Sequence, residues 1–297
     1  MTQYVLGCDY GSVDENPPPD FQALHAAGYR MIGLRVAYYN GVRIVSDDCF
    51  ARDAAHARVA GMTIIPYYFP SFRVGAPSPS DQAAAAVKFA AGIVPRVDLP
   101  LCLDIEWGKA GIAGTGHTPT ELFALVMEHL REIINLLGCA SAYTSQNEWY
   151  DMGFPDNPLL ARVLLWAKTA YRLGAKNSVD TVVPPDAHVG PAAWDPHDYH
   201  RIPDPWLNEG CWLEQIQGDA TSLPGNIQQA DINRFRIASV GDTGPHIRGL
   251  QHRLGITQTS TFDAATDAAV KKFQADHGLV IDGQVGPKTI AALWWSN

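Results

Sequence analysis

Apolar residues in the first 171 positions gather in short runs: VLGCDY, MIGLRVAYY, TIIPYYF, LPLCLDIE, ASAYTSQ and VLLWAKTAY. Short runs of this kind, apolar or β-branched, predict strands of a parallel sheet buried on both faces. Between the early runs the spacing turns helical, in DFQALHAAGY, DDCFARDAAHARVAGM, SDQAAAAVKFAAGIV and TPTELFALVMEHLREIINLLG. The last of these carries its own start and stop. Thr118 as N-cap, Pro119 at the first helical position and Glu121 at N3 form a capping-box signature. Leu122, Val126, Leu130, Ile133 and Leu137 then repeat at helical spacing until Gly138 ends the helix.

After about Tyr171 the helical pattern fades into NSVDTVVPPDAHVGPAAWDPHDYHRIPDPW, followed by two last strand-like pieces, CWLEQIQ and ADINRF. Repeated βα units followed by strands joined by loops predict an α/β fold, a (β/α) barrel with helices missing in its second half. From about Val240 the pattern is helical throughout. Ile247, Leu250, Gln251 and Leu254 share one side of a first helix, and Phe262, Thr266, Ala269 and Val270 recur as Val285, Thr289, Ala292 and Leu293. The expected division is a barrel over 1–238 and a small all-α domain over 239–297.

Charge supports the division. The tail after Ala238 holds five basic and five acidic residues, so the whole net charge of −9 belongs to the first part. That excess, with no cluster of Lys or Arg, argues against nucleic acid as a partner. At 297 residues, 46% hydrophobic and 18% charged, the chain reads as soluble and globular. No apolar run approaches the ~18 residues that span a bilayer, so no membrane insertion is expected. MTQYVLGCDYGS lacks the basic and apolar regions of a secretory signal. Cys8, Cys49, Cys102, Cys139 and Cys211 are widely spaced and odd in number, which speaks for buried thiols from a reducing compartment.

Candidate chemistry starts at LPLCLDIEW, where a strand ends in Asp104 and Glu106. Side chains alternate along a strand, so these acids leave on one face with Cα atoms roughly 6.5 to 7 Å apart. The pair suits either a solvated strand end or an acid/base couple; in the second case Glu106, beside Trp107, is the carboxyl expected to hold its proton. Asp9 ends the first strand and Asp231 opens the last. Tyr67, Tyr68, Tyr143 and Trp166 lie at or near strand ends, where rings stack on sugars or fill the core. His197, Asp198 and His200 of DPHDYH sit in a Pro-rich loop without a third-ligand pattern, and read as solvated. No nucleotide-binding glycine loop or GxSxG is present, and no cofactor or metal is expected.

The ordered set GCDYGS, AAGYRMIGLRVA, AGMTIIPYYF, LCLDIEW, AYTSQNEW, LLWAKTAY and ADINRF, over residues 3–237, resembles the family 25 glycoside hydrolases, lysozymes of the Chalaropsis type. The resemblance implies an N-acetylmuramidase with Glu106 as general acid/base, Asp104 assisting through the substrate's N-acetyl group, and Asp9 and Asp231 completing an acidic floor. Gln215 falls where the family has Trp-Gln, with Glu214 in the Trp position, and the loop from Asn177 to Asn208 looks longer than the family's. Rival expectations are another glycan hydrolase, such as a glucosaminidase or chitinase, and a catalytically silent wall-binding virion protein. The tail, through GDTGPHIRGLQHRL and AVKKFQADHGLVIDGQVGPKTIAAL, resembles the small peptidoglycan-binding domain, departing at Ile256 to Thr261 where the usual DG-x-FG loop looks shortened. Together these imply a monomer acting on bacterial peptidoglycan, with a phage endolysin made in the host cytoplasm as the simplest setting.

Overall fold

A computed structural model of the chain describes residues 3–11, 18–91, 98–107, 111–153, 155–168, 206, 211–221, 223–227 and 229–296. The barrel strands are β1 (Gln3–Tyr10), β2 (Tyr29–Tyr39), β4 (Thr63–Phe69), β5 (Cys102–Asp104), β6 (Ala140–Ser145), β7 (Val163–Lys168), β8 (Leu213–Thr221) and β9 (Gln229–Ile237). They close in the order β1-β9-β8-β7-β6-β5-β4-β2, with β2 pairing back to β1; a short β3 (Ile44–Ser46) adds to β2 outside the ring. All ring neighbours run parallel except β9, which is antiparallel to both β8 and β1. That reversal decides where one acid goes. A residue that opens β9 lies at the pole where the other strands end, and Asp231 pairs in register with Asp9.

Helices α1 (Phe21–Ala26), α2 (Phe50–Val59), α3 (Pro79–Ala90), α4 (Pro119–Leu137) and α5 (Gln146–Asp151) follow the earlier strands, whereas β8 and β9 are joined through a 3₁₀ turn at Pro224–Asn226. Among the described residues, the thinning of helices along the chain matches the sequence pattern. α4 forms as its residues dictate: Thr118 N donates to Glu121 Oε2 at 2.8 Å, Glu121 N donates to Thr118 Oγ1 at 3.3 Å, and Gly138 leaves the helix at φ 97°. Leu122, Val126, Leu130 and Ile133 are buried against the sheet.

The period of two along each strand sorts the core into two layers. Leu6, Cys8, Ile32, Leu34, Ile64, Leu101, Leu103, Ala142 and Leu165 face outward into the helical layer. Met31, Ile65, Leu99, Cys102, Leu164, Leu213 and Phe235 fill the barrel interior. His197, Asp198, His200 and most of the loop from Asn177 to Asn208 lie outside the described residues.

The tail forms α6 (Pro245–Arg253), α7 (Ala264–Asp276) and α8 (Pro287–Trp295). It is a repeat with an offset of 23 residues, built around two buried glutamines. Gln251 Nε2 donates to Thr261 O and Thr266 Oγ1, both at 2.9 Å, and Gln251 Oε1 accepts from Ser260 N at 3.0 Å. Gln274 Nε2 donates to Gln284 O at 2.8 Å and Thr289 Oγ1 at 3.4 Å, and Gln274 Oε1 accepts from Gly283 N at 2.9 Å. The segment from Ile256 to Thr261 has the length of its counterpart within the chain: Thr259, Ser260, Thr261 and Phe262 stand where the second repeat has Asp282, Gly283, Gln284 and Val285. Ser260 even takes the left-handed conformation, φ 59°, of its partner Gly283, φ 74°.

The tail does not hang from a free linker. Ala238 pairs with Val285, Trp295 Nε1 donates to Asp98 O at 2.7 Å, and Trp212 meets His246 edge to face at 5.5 Å. Ile247, Leu250, Ile290, Leu293 and Trp294 continue the same apolar cluster as the barrel's Leu99, Trp212, Phe235 and Ile237. Each of these barrel contacts lies where parallel strands begin or β9 ends. The tail plugs the pole opposite the acids.

Candidate active site

At the pole where the parallel strands end, one set of alternate positions brings Asp9, Tyr67, Asp104, Tyr143, Trp166, Gln215 and Asp231 onto the inner wall. Asp104 pairs in register with Tyr143, and Tyr143 with Trp166. β5 stops at Asp104, but Ile105 N still donates to Tyr143 O at 2.8 Å, so the chain follows β6 for one more residue and turns Glu106 to the same side.

Hydrogen bonds tie this floor together. Trp166 Nε1 donates to Asn233 Oδ1 at 2.9 Å, and Asn233 Nδ2 donates to Asp9 Oδ1 at 2.6 Å. Tyr143 donates from its hydroxyl to Gln215 Oε1, and Gln215 Nε2 donates to Asp231 Oδ2. Trp166 is packed edge to face between Tyr143, at 5.0 Å, and Tyr67, at 6.4 Å. Asp104 is buried, and its Oδ1 has no hydrogen-bond partner among the described residues.

Burial, reinforced by the neighbouring charge of Asp231, holds the Asp9 carboxyl well above the usual carboxylate range. Burial and then the charge of Glu106 do the same to Asp104. Burial thus raises two carboxyls of the floor, Asp9 and Asp104. Glu106 is a quarter exposed and forms an ion pair with Lys168 Nζ, from the end of β7. Glu148, raised by burial and lowered by Lys168, lies near the same pair.

Tyr68 is not part of the site. Consecutive strand residues face opposite ways, so once Tyr67 points inward Tyr68 must point out, and its hydroxyl meets His129 Nδ1 at 2.8 Å beneath α4. Glu214 also faces away, paired with Arg234 Nε at 2.7 Å, and so leaves the cleft unaltered. Tyr143 and Trp166 are floor rather than open stacking faces, since both are buried. The walls come from residues that the sequence reading passed over. A cleft of about 350 Å³ beside Glu106 is lined by Tyr39, Phe69, Phe72, Arg73, Trp107 and Thr115. Phe69 is 41% exposed there. Their sequence signal lies in the unbroken aromatic run PYYFPSF and in Trp107 next to Glu106.

Lys168, Asn233 and Gly33 were equally silent in the sequence. A Cβ on Gly33 would lie 2.3 Å from Asp9 Cβ and 3.2 Å from Trp166 Cη2, so only glycine leaves room for this acid and this ring together.

Residues 247–293 match the model of the putative peptidoglycan binding domain. No curated protein matches the chain by sequence. Among solved structures, the chain is similar to a muramidase from Trichobolus zukalii, at 20% identity and TM-score 0.53 over 78% of this chain and 93% of that one. It is similar to a bacterial lysozyme from Streptomyces coelicolor at 18% identity and TM-score 0.55, over 78% and 91%. A family GH25 lysozyme from Aspergillus fumigatus gives 19% and 0.54, over 78% and 93%. The barrel of this chain has the fold of the family 25 lysozymes, and its tail carries the sequence pattern of a peptidoglycan-binding domain.

Proposed function

We propose that this chain is a peptidoglycan hydrolase, an N-acetylmuramidase that cuts the β-1,4 bond after N-acetylmuramic acid. The observation that carries the reading is the pairing of Glu106, at the edge of an aromatic cleft, with the buried Asp104 whose Oδ1 is left without a partner. Glycoside cleavage needs a carboxyl that donates to the leaving oxygen and a second group that supports the developing positive charge. Glu106 is the exposed one of the two, reaches the cleft, and serves as acid and then as base. Asp104 Oδ1 is the acceptor for the N–H of the substrate's acetamido group, whose carbonyl oxygen attacks the anomeric carbon; water then opens the ring and configuration is retained.

Burial of Asp104 suits that role. A carboxyl deep in the floor and short of a hydrogen bond gains from an amide N–H more than an exposed one does. Asp9 and Asp231 complete the carboxyl floor beneath the sugar, with Asn233 and Gln215 fixing their orientation. The chain works as a monomer, and its five free thiols fit synthesis in a reducing cytoplasm before release to the wall, as in a phage endolysin.

Digestion of purified peptidoglycan, borohydride reduction and mass spectrometry of the new sugar alcohols test the bond. Muramitol is the expected product. Glucosaminitol would move the activity to a glucosaminidase, and no new alcohol would leave a silent, wall-binding barrel.

A further inference from the structure

The cleft beside Glu106 holds one feature that the hydrolysis itself does not use. Arg73 lines it on an exposed turn, and among the described residues its guanidinium has no carboxylate partner. The other arginines of the barrel wall near the site are committed: Arg35 to Asp47 at 3.0 Å, and Arg52 to Asp53 at 2.6 Å. Arg73 is also held in place by its backbone. Its N–H donates to Ser71 Oγ at 3.3 Å, and the next residue, Val74, donates to Thr115 O at 2.9 Å.

The turn itself is anchored from below. The buried Gln82 accepts from Ser71 N at 2.9 Å and donates to Ser71 O and Pro77 O, each at 2.9 Å. Phe72 is buried against Trp107 at 5.2 Å. A fixed backbone carrying a free guanidinium over an aromatic cleft is a prepared anion contact, because little of the turn has to be ordered when the anion arrives. The floor beyond it carries the carboxyl groups of Asp9, Asp104, Glu106 and Asp231, and its Lys168 is taken by Glu106, so an anionic substrate group meets its cation at the rim.

Resting on the muramidase reading, we propose that Arg73 binds a carboxylate of the peptidoglycan strand beside the bond being cut, and so makes the enzyme selective for anionic glycan over neutral glycan. Two sources carry this chemistry: the stem peptide attached to muramic acid, and the free lactyl group of muramic acid from which the peptide has been removed. A guanidinium meets either one with two parallel N–H donors. The contact moves no proton and meets a group that keeps its charge through the reaction, so it contributes to binding of ground and transition state alike and acts on KM.

The test uses the full chain and its Arg73→Gln variant on four substrates: peptide-bearing strands and amidase-trimmed strands, each native or with carboxyls converted to methylamides. Wild type is expected to lose about three- to tenfold in kcat/KM on conversion, through KM, as for a partly exposed charge pair. Arg73→Gln should show that loss already on native strands and then ignore conversion. A loss confined to peptide-bearing strands assigns the stem peptide, and one confined to trimmed strands assigns the lactyl group. Equal sensitivity of both proteins to conversion, or indifference of the wild type, overturns the role of Arg73 while leaving the hydrolase in place. Absence of cleavage by the wild type on all four overturns the muramidase reading and this inference with it.

Discussion

Lys168, at the end of β7, forms an ion pair with Glu106, the residue proposed to protonate the leaving oxygen. The contact joins the last residue of β7 to the residues just after β5, two strands earlier, and Tyr143 of the intervening β6 lies beside it, its ring centroid 5.8 Å from Nζ. The Lys168→Met variant removes the partner that fixes the Glu106 carboxyl at this strand end and is expected to lower kcat about tenfold, whereas Lys168→Arg keeps the pair and should stay near wild type. Reducing-sugar release by the three folded proteins reads this out; a Lys168→Met enzyme at the wild-type rate would mean that the pair opens before substrate binds.

Asp104 makes a second prediction, about stability. Its carboxyl is raised by burial and by Glu106, so the folded state holds a proton that the unfolded chain releases at its ordinary value. The associated stability is present at acid pH, below that ordinary value, and is lost as pH rises through the raised one. Asn mimics the protonated form. Asp104→Asn is expected to lose activity yet to have a higher Tm than wild type at pH 7, with the gain shrinking toward pH 4. Thermal melts at four or five pH values check the sign, and a variant less stable at neutral pH would contradict it.

The tail is expected to act as a plug as well as a wall anchor. Trp294 is buried at the seam, with the Arg253 guanidinium 3.6 Å from its ring centroid. Trp294→Ala should cost about 3 to 5 kcal/mol, the usual range for emptying a buried tryptophan site. Truncation after Ala238 exposes Trp212, Leu99 and Phe235, so the isolated barrel should melt well below the full chain instead of folding as an independent unit. Calorimetry of the full chain decides between one joint transition, the expected result, and two separate ones.

Ser260 offers a gain. A non-glycine residue at φ 59° bears roughly 1 kcal/mol of backbone strain, and its repeat partner is Gly283. Ser260→Gly is expected to raise stability by several tenths of a kcal/mol to about 1 kcal/mol, with wall binding unchanged. Denaturant unfolding measures it, and any loss of stability would show that the serine side chain contributes more than its strain costs.

Much of this was legible in the residues. Short apolar runs marked the strands, the capping box marked α4, and DIE marked the acid pair. The residues put Asp231 at the start of the last strand and Asp9 at the end of the first; that the two pair in register follows from the antiparallel course of β9, which cannot be seen in a nine-residue strand without its neighbours. Strict parity would have separated Tyr67 from Tyr68. Asn233, Lys168 and Gly33 stayed hidden because each matters only through a partner on another strand: Asp9 for Asn233 and Gly33, Glu106 for Lys168. The plug was invisible for a similar reason. Its apolar faces read as the private core of a small helical domain, and only the fold shows that Trp294 and Trp212 share one core.

Glu106 is the proposed acid. Replacing it by Gln keeps the shape and removes the transferable proton, so reducing-sugar release from purified peptidoglycan should fall by about a hundredfold to ten-thousandfold, the span typical of general acid–base groups, while circular dichroism and wall binding stay as in wild type. A folded Glu106→Gln protein that releases reducing ends at close to the wild-type rate would contradict the assignment of this barrel's chemistry.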